Sequence, residues 1–467
     1  MPTLQKRILD ASWDLANVSK SLTAILFAIY TLAVTSMSSD DCQASFGITR
    51  GTLLTRYRSA TVRALIAADF LTTRKLEVLQ AFFLFLLADP ESELTSTLTG
   101  AAIRLGQKMG LHRENTNTDP KISFFEKEMR VRLWWQFCGL DARVRTASTP
   151  GMKLPPFELG DIRLPLNVND ADLHPDMMEA PVEHNGPTEM LGVLVKFELS
   201  NWLRSSPKSA KVIENILQNV IQNILQGSSV RSEMSMELQD EAINELEAIY
   251  QKKFCSNLDR RIPLHGLTHA MATVAGARMR FKVHHPRGRA AVSGGEVYMT
   301  REENDVLFHS AVTSLEMVSV GINSRFSSHL FTHLTTKFQI DAYIYVISDL
   351  RRRCFGDRVN LAWKLVEDLY NEHSELIDDA ENTFFVALGD LTLEAWEARR
   401  KELVRGQGVR ESDVTPHFIR LLWGKRQNRN KESVQMPPVP DHHGLDGLGL
   451  IDYNDLDWEY WNDFLRL

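Results

Sequence analysis

Apolar residues along the chain recur at intervals of three and four rather than two, and that spacing predicts helices almost from end to end. In AAIRLGQKMGLH (101–112), Ala102, Leu105 and Met109 line one face, while Ala101 and Gly106 are small enough to admit a neighbouring helix closely. Gly110 is placed to end that helix, because it can turn left-handed without a Cβ clash. Similar stripes predict helices over 3–17, 20–37, 50–70, 74–88, 124–146, 188–206, 209–226, 236–256, 264–284, 301–323, 329–353, 358–374, 382–404 and 414–423. No segment reads convincingly as a strand, so the expected fold class is all-α, a large multi-helix array.

Three segments break the pattern. Residues 148–187 hold seven prolines, each lacking a backbone donor and turning its predecessor away from helix, which predicts a long non-helical crossover. The leucines and Ile162 within it favour packing against the helices. Residues 284–296, HHPRGRAAVSGGE, read as an exposed loop between two helical parts. Beyond Lys425 the composition turns polar, reaches PPVP at 437–440, and ends in an acidic aromatic tail. The resulting division is 1–290, 291–425, and a linker with flexible tail over 426–467.

Composition narrows the class. Of 467 residues, 43% are hydrophobic and 24% charged, enough apolar mass for a core and too much for a disordered or fibrous chain. The longest apolar run, Leu22 to Val34, is well short of the roughly 20 residues that cross a bilayer, so no membrane partner is expected. Cys42, Cys138, Cys255 and Cys354 are too dispersed for a disulfide framework or a zinc knuckle and read as reduced, mostly buried thiols. Most of the net charge of −7 lies in residues 441–467, which carry −6. That asymmetry points to a partner-binding segment.

Catalytic patterns are lacking: there is no GxSxG elbow, phosphate-cradling glycine loop or HExxH. His284 and His285, without a carboxylate at ligand spacing, read as a loop pair rather than metal ligands. In FFEKEMRVRLWWQFCGLDARVR (124–145), Glu126–Arg130, Glu128–Arg132 and Asp141–Arg145 are each four apart and neighbours on a helix. Arg130, Trp134, Phe137 and Asp141 share one stripe, so a guanidinium could lie on an indole and reach a carboxylate. Two readings stand there, a buried polar network or the wall of a small-molecule cavity.

Basic residues cluster around 278–289, at Arg351-Arg352-Arg353, and over 399–431, where ten bases face three acids. The triple arginine reads as a helix end; 399–431 is a candidate localisation or nucleic-acid segment. The tail GLIDYNDLDWEYWNDFLRL (449–467) interleaves acids with Trp458, Tyr460, Trp461 and Phe464, the composition of an activation segment that folds into a partner's groove. A C-terminal helix docked on its own domain is the alternative.

Three ordered motifs then carry a resemblance: LTGAAIRLGQKMGLHRE (98–114), FEKEMRVRLWW (125–135) followed by Asp141, and LPLNVNDADLHPDM (164–177). Together they resemble the middle homology region of fungal-specific transcription factors, over about residues 20–290. The opening PTLQ (2–5) and the closing DWEYW are also similar to stretches found in that family. The resemblance implies an all-helical regulatory module acting in the nucleus, commonly in specialised metabolism, with coactivators or the transcription machinery as partners. It also implies homo- or heterodimers, a small-molecule effector, and structural roles for Arg104, His112, Arg113, Glu128, Arg130, Arg132, Trp134, Trp135, Asp141, Asn167 and Asp170. Val131 departs from the motif, which usually has a second arginine there.

The family's DNA contact comes from an N-terminal cluster of two zinc ions on six cysteines, and this chain has four, far apart. No cofactor is therefore expected in the chain, and DNA contact would come through a segment outside it or through a partner. Its rivals are a headless cofactor that dimerises with or sequesters an intact paralogue, and an unrecognised helical enzyme.

Overall fold

The computed structural model describes residues 2–14, 17–90, 92–114, 122–148, 160–206, 236–259, 261–285, 299–323, 339–379, 382–407 and 415–434. Among these residues the structure is all-α, with no strand. The helices are α1 (Pro2–Trp13), α2 (Lys20–Ser36), α3 (Ser39–Phe46), α4 (Arg50–Ala67), α5 (Leu76–Leu87), α6 (Glu93–Lys108), α7 (Phe124–Ser148) and α8 (Leu191–Ser205). They continue as α9 (Met236–Tyr250), α10 (Pro263–His284), α11 (Arg301–Ile322), α12 (Ile340–Asp349), α13 (Asp357–Glu372), α14 (Glu375–Asp378), α15 (Thr383–Gln407) and α16 (His417–Val434). A π-helical turn, Gln251–Cys255, extends α9.

Local signals set the ends. Ser19, Thr49 and Ser92 cap α2, α4 and α6 by accepting a bond from a first-turn N–H, and Thr300 with Glu303 forms a reciprocal capping box on α11. Helix α6 closes as its sequence predicts: Gly110 sits at φ 74°, and the N–H of Leu111 reaches back to the carbonyl of Gly106 at 2.9 Å.

Among the described residues three large apolar cores lie along the array, with a small fourth cluster of Val34, Cys42 and Leu53. The first gathers α2, α4, α5, α6 and α7 around Phe82, Trp134 and Phe137; the second joins α8, α9 and α10 around Trp202 and Tyr250; the third holds α11–α16 around Tyr345, Trp363 and Phe418. Helix α8 belongs to two of them, with Phe197 in the first and Trp202 in the second. Helix α10 does the same further on, since its Phe281 packs against the third core. The helices on either side of residues 286–298 thus pack on one another, so the sequence break there does not separate them.

Several expectations need correction. Helix α3 was not predicted, because SDDCQASF has no apolar stripe; only Cys42 is buried, and the Ser38–Asp41 capping box starts the helix. Helix α16 runs to Val434, so the linker expected from residue 426 begins later. The described helix in 329–353 is Ile340–Asp349, and the expected helix 209–226, loop 286–296 and tail lie outside the described residues. Cys42 and Cys138 are buried as expected, but Cys255 and Cys354 are only half-buried. No described helix is long and apolar enough to cross a membrane.

Candidate functional site

The motifs of 98–114, 125–135 and 164–177 converge where the crossover lies against α7. Glu128, fully buried, accepts a bond from Arg132 Nε at 3.1 Å one turn along α7 and another from the backbone N–H of Leu166 at 3.1 Å, and pairs with Arg163 Nη2 at 2.8 Å. Arg132 continues to Asp170 Oδ1 at 3.0 Å. Trp135 donates its indole N–H to the carbonyl of Arg163 at 2.7 Å, and Glu114 accepts the N–H of Arg163 at 3.2 Å. One carboxylate in the core thus joins two guanidiniums and the crossover backbone in a charge-assisted network, in which the buried Arg132 Nη2 is left without a hydrogen-bond partner.

Farther along, Asn167 spends its side chain on the crossover itself, donating to the carbonyls of His184 and Gly186 at 2.7 and 3.0 Å and accepting from Thr188 Oγ1 at 2.7 Å. The N–H of Asp170 donates to Glu189 Oε2 at 2.7 Å. Ile162 and Val168 are fully buried beneath these bonds, as the packing expectation for the crossover required. Gly160 sets the entry: its φ is 74°, and a Cβ there would stand 2.0 Å from the carbonyl oxygen of His112.

Trp134 and Trp135 are buried in the first core, as is Asp141. Arg130 does not lie on Trp134 or reach Asp141; it bonds Glu126 at 2.9 and 3.1 Å, back toward the helix start. The physical reason is steric, because Gly106 and the ring of His112 already cover the indole, at 3.1 Å from a Cβ at Gly106 and 5.6 Å between ring centroids. The stripe is therefore filled core, not the wall of a cavity. Arg145 has no described side chain. Arg104 stands exposed on α6, so the packing role implied by the resemblance does not hold for it. Sequence reasoning missed Glu114 and Arg163; a lone arginine within the apolar DIRLPL was the available signal.

His112 bonds Arg113 Nε at 3.1 Å, and burial, with the adjacent Arg113 charge, holds its pKa below the ordinary 6.5. The unfolded chain then takes up a proton near pH 6 that the folded chain resists, so this histidine lowers stability as pH falls through 6.5. The melting-temperature difference between pH 7.5 and pH 5.5, two points about a unit either side, is expected to shrink in His112→Gln relative to wild type. An equal difference in both proteins would remove His112 from that account.

His284 and His285 are not a surface loop pair. Both are buried at the end of α10, where His284 Nε2 meets Asp240 Oδ1 at 2.9 Å. That carboxylate lies 44 residues away, beyond any local spacing rule. Among the described residues no group of three or more His, Cys, Asp or Glu is placed to hold a metal. The four cysteines sit on α3, α7, the π turn and the segment after α12, and do not fit a binuclear zinc cluster.

Among the described residues, several members of the basic runs pair within the fold. Arg353, just after α12, pairs with Asp349 and Asp305 and lies 4.8 Å from the Phe308 ring centroid, a helix-end role. Within 399–431, Arg400, Arg405, Lys425 and Arg426 pair with Glu397, Glu402, Asp378 and Asp390.

A cavity of about 310 Å³ opens beside the π turn, among Tyr250, Cys255, His269, Arg280, His309 and Thr313. Arg280 is neutralised by Glu247 at 2.8 Å and Asp240 at 3.3 Å, and Thr313 accepts from Arg358 at 2.5 Å. Desolvation and the Arg358 charge push His309 below its ordinary pKa, which favours its neutral form. A charge-balanced lining of hydroxyls, imidazoles and one aromatic ring suits a small neutral molecule with hydrogen-bonding groups.

A family model of the fungal specific transcription factor domain matches residues 2–248, more than half of the chain. The chain belongs to this family. It is 33% identical over 450 residues to the aurofusarin cluster transcription factor aurR2 of Gibberella zeae, covering 95% of this chain and 63% of that protein. It is 30% identical to the transcriptional regulator AacuB of Aspergillus aculeatus, covering 90% of this chain and 55% of that protein. Against the pyriculol/pyriculariol biosynthesis cluster transcription factor 1 of Pyricularia oryzae it is 29% identical, with the same two coverages. The chain thus spans little more than half the length of these relatives. In this family member, the three motifs that carried the resemblance are the ones the buried clasp ties together.

Proposed function

We propose that the chain is the regulatory module of a nuclear transcription regulator that controls a specialised-metabolite gene cluster. The observation that carries this is the family match, supported by similarity over 90% or more of the chain to regulators named for such clusters. In this reading residues 1–290 form the regulatory region, 291–425 a helical part packed on it, and 441–467 an activation segment that engages a coactivator. The mixed polar cavity at the π turn receives the effector. DNA contact comes through a segment outside these residues or through a partner, because four cysteines on separate elements cannot hold two zinc ions.

The test fuses residues 1–467 to a heterologous DNA-binding domain and reads a reporter. A change in output with the wild-type fusion, lost in a variant carrying Trp458→Ala, Trp461→Ala and Phe464→Ala, is the expected result. An unchanged reporter overturns the reading. The chain by itself is expected to shift no single operator in the presence of competitor DNA, its residual DNA affinity falling steeply with salt.

A further inference from the structure

Among the described residues, the third core leaves a cluster of buried donors without acceptors. Trp363 on α13 and Trp396 on α15 are more than nine-tenths buried and meet edge to face, ring centroids 5.1 Å apart at 82°. Arg399, three residues beyond Trp396 and so on the same face of α15, holds its guanidinium carbon 5.8 Å from the Trp363 ring centroid. Its Nη2 donates at 2.7 Å to Oδ1 of Asn360, which stands three residues before Trp363 on α13. The other donors of the cluster, Trp363 Nε1, Trp396 Nε1, and Arg399 Nε and Nη1, are buried and find no acceptor among the described residues. The ring faces meet this need only in part. Of two edge-to-face indoles, the one that offers its face keeps its own N–H in plane, clear of its partner. Buried donors left in this state are rare, and each one calls for a bound species or a cost in stability.

Charge is unbalanced in the same place. Asn360 is neutral, and nearby acids of α15 are engaged elsewhere, Glu394 by Arg351, Glu397 by Arg400 and Glu402 by Arg405. No carboxylate pairs with Arg399 among the described residues, and desolvation holds its pKa below the ordinary arginine value. A water molecule suits such a shell poorly, since it brings hydrogens of its own that need acceptors the cluster lacks. A species with lone pairs all round, no hydrogen to place and one negative charge satisfies both the indoles and the guanidinium.

We propose that Trp363, Trp396 and Arg399 form a binding site for a small monovalent anion, a halide or a carboxylate group, which ties α13 to α15. Asn360 is exposed and Arg399 half-buried, so the anion enters from that side. The site lies beyond the residues that the family model matches and apart from the cavity at the π turn.

The experiment uses the full chain in a buffer whose only anion is a bulky sulfonate, replaced at constant ionic strength by chloride, formate or acetate. The expected result is a saturable rise in Tm, roughly 3–6 °C at ten times Kd. A rise with chloride alone supports a halide site, and one as large or larger with formate and acetate supports a carboxylate site. In isotope-labelled protein, two indole N–H signals, assigned by their loss in Trp363→Phe and Trp396→Phe, should move along the same binding curve. Trp396→Phe removes the N–H and keeps an aromatic ring, and should weaken binding about tenfold, the scale of one hydrogen bond to a charged group. Arg399→Gln should abolish the response. In the sulfonate buffer that variant should melt close to wild type, because removal of an unpaired, desolvated charge offsets loss of the Asn360 bond. An equal Tm in every anion, indole signals that stay still while Tm rises, or a response retained in Arg399→Gln each overturn the proposal. The first of these would mean that water and ring faces meet the donors.

Discussion

Glu128→Ala is expected to destabilise the first core by about 3–5 kcal/mol, the scale for removing one member of a buried, hydrogen-bonded charge network. The carboxylate is fully buried, and its loss leaves Arg132 and Arg163 without their shared acceptor and the N–H of Leu166 without its partner. Arg132 retains Asp170, and Arg163 is partly solvated, so the cost falls mainly on the stranded polar groups near the crossover. Glu128→Gln, which keeps the shape and one acceptor oxygen, should recover part of that loss. Urea unfolding of the two variants beside wild type measures it, and limited proteolysis should show residues 160–190 cut first in Glu128→Ala. A loss below about 1 kcal/mol, the level of an exposed pair, would reduce the clasp to surface decoration.

The clasp also shows where sequence reasoning reaches and stops. Glu126–Arg130 and Glu128–Arg132 were legible because a helix brings residues four apart together, and both pairs form. Glu128–Arg163 and His284–Asp240 were not, since their partners stand 35 and 44 residues apart and only the tertiary fold joins them. The stripe Arg130–Trp134–Asp141 was legible as a stripe and misread as a contact, because spacing does not say that Gly106 and His112 already occupy the indole's face.

The same division holds for the elements. Long helices with apolar stripes appeared near their predicted places, while α3 escaped because its eight residues bury only Cys42 and its capping box is a weaker signal than periodicity. Helix α16 was cut short in prediction because KRQNRNKES looks like a linker; lysine, arginine, glutamine and glutamate are nevertheless good helix formers, and propensity carries the helix past its apolar first turns. The crossover was legible as non-helical from its prolines, yet its attachment was hidden in single polar residues, Arg163, Asn167 and Asp170, whose partners lie elsewhere.

Trp134→Ala should cost about 3–5 kcal/mol, because truncating a buried indole loses its transfer energy and leaves a cavity that a packed core closes only partly. The side chain is wholly buried between α6 and α7, with Gly106 beneath it and the His112 ring at 5.6 Å. For a cooperative unit of 150–250 residues, that loss corresponds to a fall of roughly 6–20 °C in Tm. Gly106 supplies the internal control. A Cβ there would come within 3.1 Å of Trp134 Cζ3, and a fully buried ring has little room to give, so Gly106→Ala should be destabilising in the wild-type background. Once Trp134 is alanine the obstruction is gone, and the same change should be neutral or favourable by about 0.5–1 kcal/mol, the preference of a helix interior for alanine. The double-mutant cycle therefore predicts a coupling of about 1–3 kcal/mol between the two positions. Additive effects, or a Trp134→Ala variant melting within about 2 °C of wild type, less than 1 kcal/mol would produce, would mean that the indole is not the keystone of the α6–α7 contact.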